Sequence, residues 1–239
     1  MTPFIGELLG TAMLLLLGNG VVANVVLTGT KGHNSGWIVI SLAWGLAVFS
    51  AVFMVADVSG AHLNPAVTLG LAIAGKFDWA SVPAYMAAQL AGAAIGTSLV
   101  WLQYRSHYQI TEDALAKRAT FCTDPAIRHT TNNFFSEFIG TFALVLGVLF
   151  ITGASVGAEE ASLGSLDALP VGLLVTVIGL GLGGTTGYAI NPARDLGPRI
   201  MHAILPIEGK ASSDWGYAWI PVLGPLTGGA AAAGLWLML

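Results

Sequence analysis

Apolar residues in this chain come in long unbroken stretches rather than at the spacing of one helix face or one strand face. Asp, Glu, Lys and Arg are absent from seven intervals, 8–30, 32–56, 58–75, 79–104, 138–158, 168–193 and 215–239, which are 23, 25, 18, 26, 21, 26 and 25 residues long. A helix rises about 1.5 Å per residue, so about 20 apolar residues cross a hydrocarbon core roughly 30 Å thick. Six intervals are long enough to span. The 18-residue interval falls short. The first interval reads as a retained helix rather than a signal peptide, because no Lys or Arg precedes it and a second apolar stretch follows at once.

The pattern repeats. Gly6-Glu7-Leu8-Leu9-Gly10-Thr11 recurs as Ser136-Glu137-Phe138-Ile139-Gly140-Thr141, and Ser59-Gly60-Ala61-His62-Leu63-Asn64-Pro65-Ala66 recurs as Thr186-Gly187-Tyr188-Ala189-Ile190-Asn191-Pro192-Ala193. Gly92-Ala93 and Gly229-Ala230 close the pattern, so three markers recur in order at offsets of 130, 127 and 137. Each half holds three spans and one Asn-Pro-Ala segment. An odd number of spans makes the second half enter the membrane from the opposite side, so the repeats, 1–118 and 119–239, are inverted. The polar stretch from about Ser106 to Asn133 joins them as a long loop, with a short helix expected near Glu112 to Lys117.

The short interval then reads as half a span. Asn64 suits an N-cap, because its side-chain oxygen satisfies an orphan amide, and Pro65 suits the first helical position, where no donor is needed. A helix over 64–74 is about 15 Å long. Asn191 and Pro192 open its counterpart over 191–203. Inversion brings the two N-termini together near the midplane. The segments leading in, Gly60 to Leu63 and Gly187 to Ile190, must be irregular backbone, tolerated at membrane depth only when buried in protein or lining a wet cavity.

Only 9% of residues are charged, against about 25% in soluble domains, and the net charge is −4, which excludes a disordered chain and a basic nucleic-acid-binding face. The single cysteine, Cys122, excludes a disulfide scaffold. Counting cations gives Lys76 on one side and Lys31, Arg105, Lys117, Arg118, Arg128 and Lys210 mainly on the other, which the positive-inside rule would make cytoplasmic.

Two opposed helix N-termini put positive partial charge at the centre, repelling cations and admitting neutral polar molecules. The central stretches lack the Asp, Glu or Lys of proton relays and ion-coupled carriers. Glu7 and Glu137 read as structural acids that accept hydrogen bonds from the irregular segments. Arg194, in the first turn of the second half-helix, either holds neighbouring carbonyls or sits where the pore narrows, donating to hydroxyls and excluding cations. His62 has no second ligand at metal-binding spacing, so it reads as a packing residue. No metal and no cofactor are expected, and no paired carboxylates or nucleophile point to an enzyme.

The strings SGAHLNPAVT (Ser59 to Thr68) and GYAINPARDLGP (Gly187 to Pro198) resemble the major intrinsic protein family, which comprises aquaporins and glycerol facilitators, and the resemblance covers essentially the whole chain. It implies an all-α membrane protein, a right-handed bundle of six transmembrane helices and two re-entrant half-helices. It also implies a homotetramer in the lipid bilayer, in the plasma membrane, with a pore in each protomer and both termini cytoplasmic, against the charge count. Asp195 after Arg194, then Arg199 and Pro225-Leu226, resembles the glycerol-conducting branch. By motif alignment the constriction maps to Trp44, Gly179, Tyr188 and Arg194; water-specific members carry histidine at the position of Gly179.

Trp44 and Tyr188 offer an apolar wall for a CH backbone while Arg194 meets hydroxyls, which suits glycerol. Asn64 and Asn191 are expected to donate to a passing oxygen, and the carbonyls of Gly60, Ala61, His62, Gly187, Tyr188 and Ala189 to replace its hydration. Tyr188 departs from the phenylalanine of well-known glycerol facilitators, and Asp57 from the small residue usual at the end of the second span. The expected activity is passive conduction of glycerol, water and other small uncharged solutes, extending to dihydroxyacetone, urea or neutral lactic acid, with exclusion of protons and ions. A secondary transporter of a small organic acid shares inverted repeats and broken helices.

Overall fold

A computed structural model describes residues 1–151 and 164–239, with the backbone of Ser155–Val156 and Glu159–Glu160. The end of the uncharged interval 138–158 lies partly outside the described residues. The helices are α1 (Pro3–Val26), α2 (Trp37–Ser59), α3 (Pro65–Ile73), α4 (Val82–Gln103), α5 (Arg105–Ile110), α6 (Ala114–Ala119), α7 (Thr130–Phe150), α8 (Leu169–Leu182), α9 (Pro192–Ile204) and α10 (Ile220–Trp236). Two-residue strands, β1 (Ser155–Val156) and β2 (Glu159–Glu160), pair antiparallel and are a small addition to an otherwise helical chain.

By length and apolar composition α1, α2, α7 and the run Trp79–Gln103 can each cross a membrane, and Leu166–Leu182 and Ile220–Trp236 are shorter apolar helices. Outward positions are large and apolar: Ile38, Leu42, Leu46 and Phe53 form one exposed stripe along α2. Polar residues lie inside, with Glu7, Gln89, Glu137 and Arg199 fully buried. This inside-out arrangement is that of a protein whose solvent is lipid.

Packing repeats between the halves. α1 packs on α4 as α7 packs on α10, α3 packs on α10 as α9 packs on α4, and α2 and α8 meet each other. The close pairs rest on glycines four apart. A Cβ at Gly92 would lie 2.3 Å from the Leu8 carbonyl oxygen and one at Gly96 2.2 Å from that of Ala12, while a Cβ at Gly228 would lie 2.3 Å from the Phe138 oxygen. Leu8 and Phe138 are equivalent under the 130-residue offset. Only glycine lets these backbones approach so closely, the small-residue packing that replaces the hydrophobic drive between helices in lipid.

The joining stretch carries two short helices rather than one. α5 continues from α4 past Tyr104, and α6 begins at Ala114 because the Asp113 carboxylate accepts from the amides of Leu115 (2.8 Å) and Ala116 (3.1 Å). The cations here are not free loop charges. Lys117 Nζ donates to the Glu208 carbonyl at 2.6 Å, Arg118 donates to the Ser212 carbonyl and pairs with Asp124, and Lys210 Nζ donates to the carbonyls of His202, Ala203 and Leu205, closing the C-terminal end of α9. Three cations in the positive-inside count are therefore tied to backbone.

Candidate functional site, a constriction between two half-helices

The irregular segments before α3 and α9 are built alike. Gly60, Ala61 and Leu63 have φ of 76°, 49° and 52°, and their equivalents Gly187, Tyr188 and Ile190 have 78°, 38° and 43°. Four of these are not glycine, and each left-handed non-glycine residue costs about 1–2 kcal/mol. Two buried carboxylates hold the strain. Glu7 accepts at Oε1 from Ser59 Oγ (2.7 Å) and His62 N (2.9 Å), and at Oε2 from Leu63 N (2.7 Å) and Gln89 Nε2 (2.7 Å). Glu137 accepts from Ala189 N (3.0 Å) and Ile190 N (2.8 Å), the equivalents of His62 and Leu63. With no water in a bilayer core to satisfy these amides, a carboxylate at the helix interface is what makes the non-helical backbone tolerable.

The segments end at caps that reach across to each other. Asn64 Oδ1 accepts from Ala66 N at 2.8 Å, and its Nδ2 donates to the Ile190 carbonyl at 2.8 Å. Asn191 Oδ1 accepts from Ala193 N and Arg194 N, and its Nδ2 donates to the Leu63 carbonyl at 2.8 Å. Each half-helix start is thereby fixed by the loop of the other half, and Pro65 and Pro192 occupy the first helical positions beside Ala66 and Ala193, all buried. α3 and α9 meet here, so their positive ends face one another.

A cavity of about 150 Å³ runs through this region. Gly60, Ala61, His62, Tyr188 and Ala189 line it beside Asn64 and Asn191, whereas Gly187 does not. Val48, Val52, Val148 and Val175 form an apolar side. Trp44, Tyr188 and Arg194 come together on its wall, each at most 7% exposed. The Arg194 guanidinium lies 4.4 Å from the centre of the Trp44 indole and donates to the Phe121 carbonyl at 3.4 Å. Arg194 is thus bonded to a carbonyl and also lines the cavity.

Gly179 is placed differently from the other three. It lies behind Tyr188, where a Cβ would come within 2.8 Å of the phenol carbon and oxygen. Its lack of a side chain seats the tyrosine instead of opening the lumen directly. His62 bonds Thr68 through Nδ1 at 3.1 Å and packs on Phe77 and Tyr85, a packing residue as its surroundings require. Asp57 is exposed at the end of α2. Among the described residues no cluster of His, Cys, Asp and Glu is arranged to hold a metal.

Several residues in this assembly have partners that no motif records. Gln89, buried on α4, bonds both Glu7 and Thr68, and a lone glutamine in an apolar span is the signal that marks it. Asp195, fully buried, accepts from the Thr123 amide (2.8 Å) and hydroxyl (2.7 Å), and pairs with Arg199, which also donates to the carbonyls of Thr123 and Ser213. That pair staples the stretch carrying Phe121 onto α9, so it sets the carbonyl that Arg194 uses.

Two inverted sets of spans, with half-helices meeting at a cavity edged by one cation and two aromatic rings, define a helical membrane channel. The comparisons agree. The family described as Major intrinsic protein matches residues 1–236, and the chain belongs to that family. It is 54% identical over 236 residues, 99% of this chain and 98% of the other, to a probable glycerol uptake facilitator protein of Thermotoga maritima. It is 55% identical over 232 residues, 97% of each chain, to a glycerol uptake facilitator protein of Streptococcus pneumoniae. The solved structure of the aquaglyceroporin from Plasmodium falciparum superimposes with a TM-score of 0.84 at 36% identity, covering 98% of this chain and 93% of that one.

Proposed function

We propose that the protein is a passive channel for glycerol, water and other small uncharged solutes, and that it excludes protons and ions. The observation that carries this reading is the two-sided constriction. Arg194, packed over the Trp44 ring, supplies donors at its edge, and the Tyr188 ring with Val48, Val52, Val148 and Val175 supplies apolar surface, matching a solute with hydroxyls along one side and carbons along the other. Each carboxamide nitrogen has two hydrogens, and one is committed to a carbonyl across the junction. The second hydrogen of Asn64 and of Asn191 then meets the passing oxygen, and the opposed helix ends make a proton or cation costly at that point. The similar proteins named as glycerol facilitators support the same solute.

The two inverted repeats are 1–118 and 119–239, with the division inside α6. The protein works as a homotetramer in the plasma membrane with both termini cytoplasmic, and it carries out no covalent chemistry. Trp44, Gly179, Tyr188 and Arg194 form its selectivity filter. The test is osmotic: vesicles holding the purified protein are shrunk in glycerol and their re-swelling is timed. Re-swelling faster than that of empty vesicles is expected, and a rate equal to theirs would remove the polyol reading.

A further inference from the structure

The aromatic wall of the constriction has little hydrogen bonding of its own. The Tyr188 and Ser41 hydroxyls are buried facing each other in a poorly aligned contact, and no other described residue bonds either of them. Ser41 lies beside the same glycine, its Cβ 3.1 Å from where a Cβ at Gly179 would stand. The tyrosine also sits at φ 38°, a position that a side chain rarely adopts. Something else must help fix its ring.

That something is Trp37, outside the four filter residues and seven positions before Trp44. The Trp37 indole meets the Tyr188 ring edge to face, with centres 5.7 Å apart and planes at 77°. Its Nε1–H donates to the Gly179 carbonyl at 3.0 Å, tying the start of α2 to α8 just behind the tyrosine. Gly183, one turn on from Gly179, completes the seat. A Cβ there would fall 2.4 Å from Tyr188 Cδ1, 2.6 Å from the Gly179 carbonyl oxygen that Trp37 bonds and 2.8 Å from Trp37 Cζ2, so both rings and that carbonyl close on the space that glycine leaves.

We propose that Trp37 is a positioning residue for selectivity: with Gly183 it sets how far the Tyr188 ring projects toward Arg194, and so the width of polyol that passes. This rests on the constriction being the solute filter. A tryptophan at a helix end also anchors in the membrane interface, a role that would affect insertion and leave solute preference alone. The two roles therefore separate by measurement.

The experiment compares ribitol and glycerol permeability in vesicles carrying wild type, Trp37→Leu, Trp37→Phe and Gly183→Ala. Leucine removes the edge-to-face contact and the Nε1–H bond, letting the tyrosine retract, and the ribitol-to-glycerol ratio should rise about tenfold, as loss of one aromatic pair and one hydrogen bond supports. Phenylalanine keeps an aromatic edge and should return most of the wild-type ratio. Gly183→Ala pushes the ring inward, and glycerol permeability relative to water should fall several-fold. An unchanged ratio in Trp37→Leu, or a phenylalanine variant no closer to wild type than leucine, overturns the proposal. Should Trp37→Leu fail to insert, Gly183→Ala decides alone, and an unchanged glycerol-to-water ratio there overturns it. Absence of glycerol flux in wild type defeats the channel reading too, whereas wild-type flux with unaltered ratios in the variants defeats only the role of Trp37.

Discussion

The Arg194 guanidinium lies over the Trp44 indole, 4.4 Å from its centre, and donates to the Phe121 carbonyl. A planar, permanently charged group on an aromatic face is a rigid element, and it leaves donors along its edge for a solute. Replacing it by alanine removes the one fixed charge that the described residues place on the cavity wall. A unit charge at about 4 Å acts with about 4 kcal/mol at an effective dielectric of about 20. The opposed helix ends retain part of the barrier, so Arg194→Ala should raise proton and small-cation leak about tenfold or more. A pH-sensitive dye trapped in the vesicles reads this, and an unchanged leak with unchanged polyol preference would refute the role given to Arg194.

Glu7 and Glu137 predict a stability effect rather than a selective one. Glutamine at position 7 turns one acceptor oxygen into a donor facing other donors, so two of the four bonds to Ser59, His62, Leu63 and Gln89 are lost in a buried site. Each orphaned buried donor costs about 1–3 kcal/mol. Glu7→Gln and Glu137→Gln should each lower the thermal midpoint in detergent, by several degrees, and a midpoint equal to wild type would show that other contacts carry the irregular segments.

How much of this was legible beforehand follows from the range of each interaction. The spans, the duplicated markers and the Asn-Pro starts of α3 and α9 were readable because length, offset and capping are local properties. The acids were readable as pairs because the repeat shows Glu7 and Glu137 at matching positions. Gln89, Thr123 and Trp37 were not, since each acts through a residue 21 to 142 positions away and no short motif records that pairing. The place of Gly179 behind Tyr188 was hidden for the same reason: alignment gives the position, and only the packed ring shows which way its empty side faces. The cation count treats Lys117, Arg118 and Lys210 as loop charges, whereas the fold bonds them to carbonyls, a long-range pairing that no charge count records.

Asp195 and Arg199 make a separate prediction. Both side chains are fully buried, and the pair is bonded on both carboxylate oxygens. Asp195→Asn leaves a buried guanidinium without its counter-charge, an arrangement that costs about 3–5 kcal/mol. The variant should unfold at markedly lower temperature, and protease should cut the 121–124 stretch faster than in wild type. Wild-type melting and cleavage would contradict the stapling role.

Cys122 sits in the same stretch, 1% exposed, and burial pushes its thiol up to about 12. Thiolate is the reactive form, so little of it exists at pH 7 to 8. Maleimide should label the folded protein slowly at neutral pH and quickly once denatured. Fast labelling of folded protein would show that this stretch opens far more readily than its bonds to Asp195 and Arg199 allow.

The central claim is that solute passes by diffusion through a fixed filter, without a coupled ion and without a carrier cycle. The most direct measurement is the initial rate of glycerol entry into protein-bearing vesicles over a rising series of glycerol concentrations, with and without an imposed proton or sodium gradient. A rate that climbs in proportion to concentration and ignores the gradient is the result this structure predicts. A rate that saturates, or that follows the ion gradient, would contradict it.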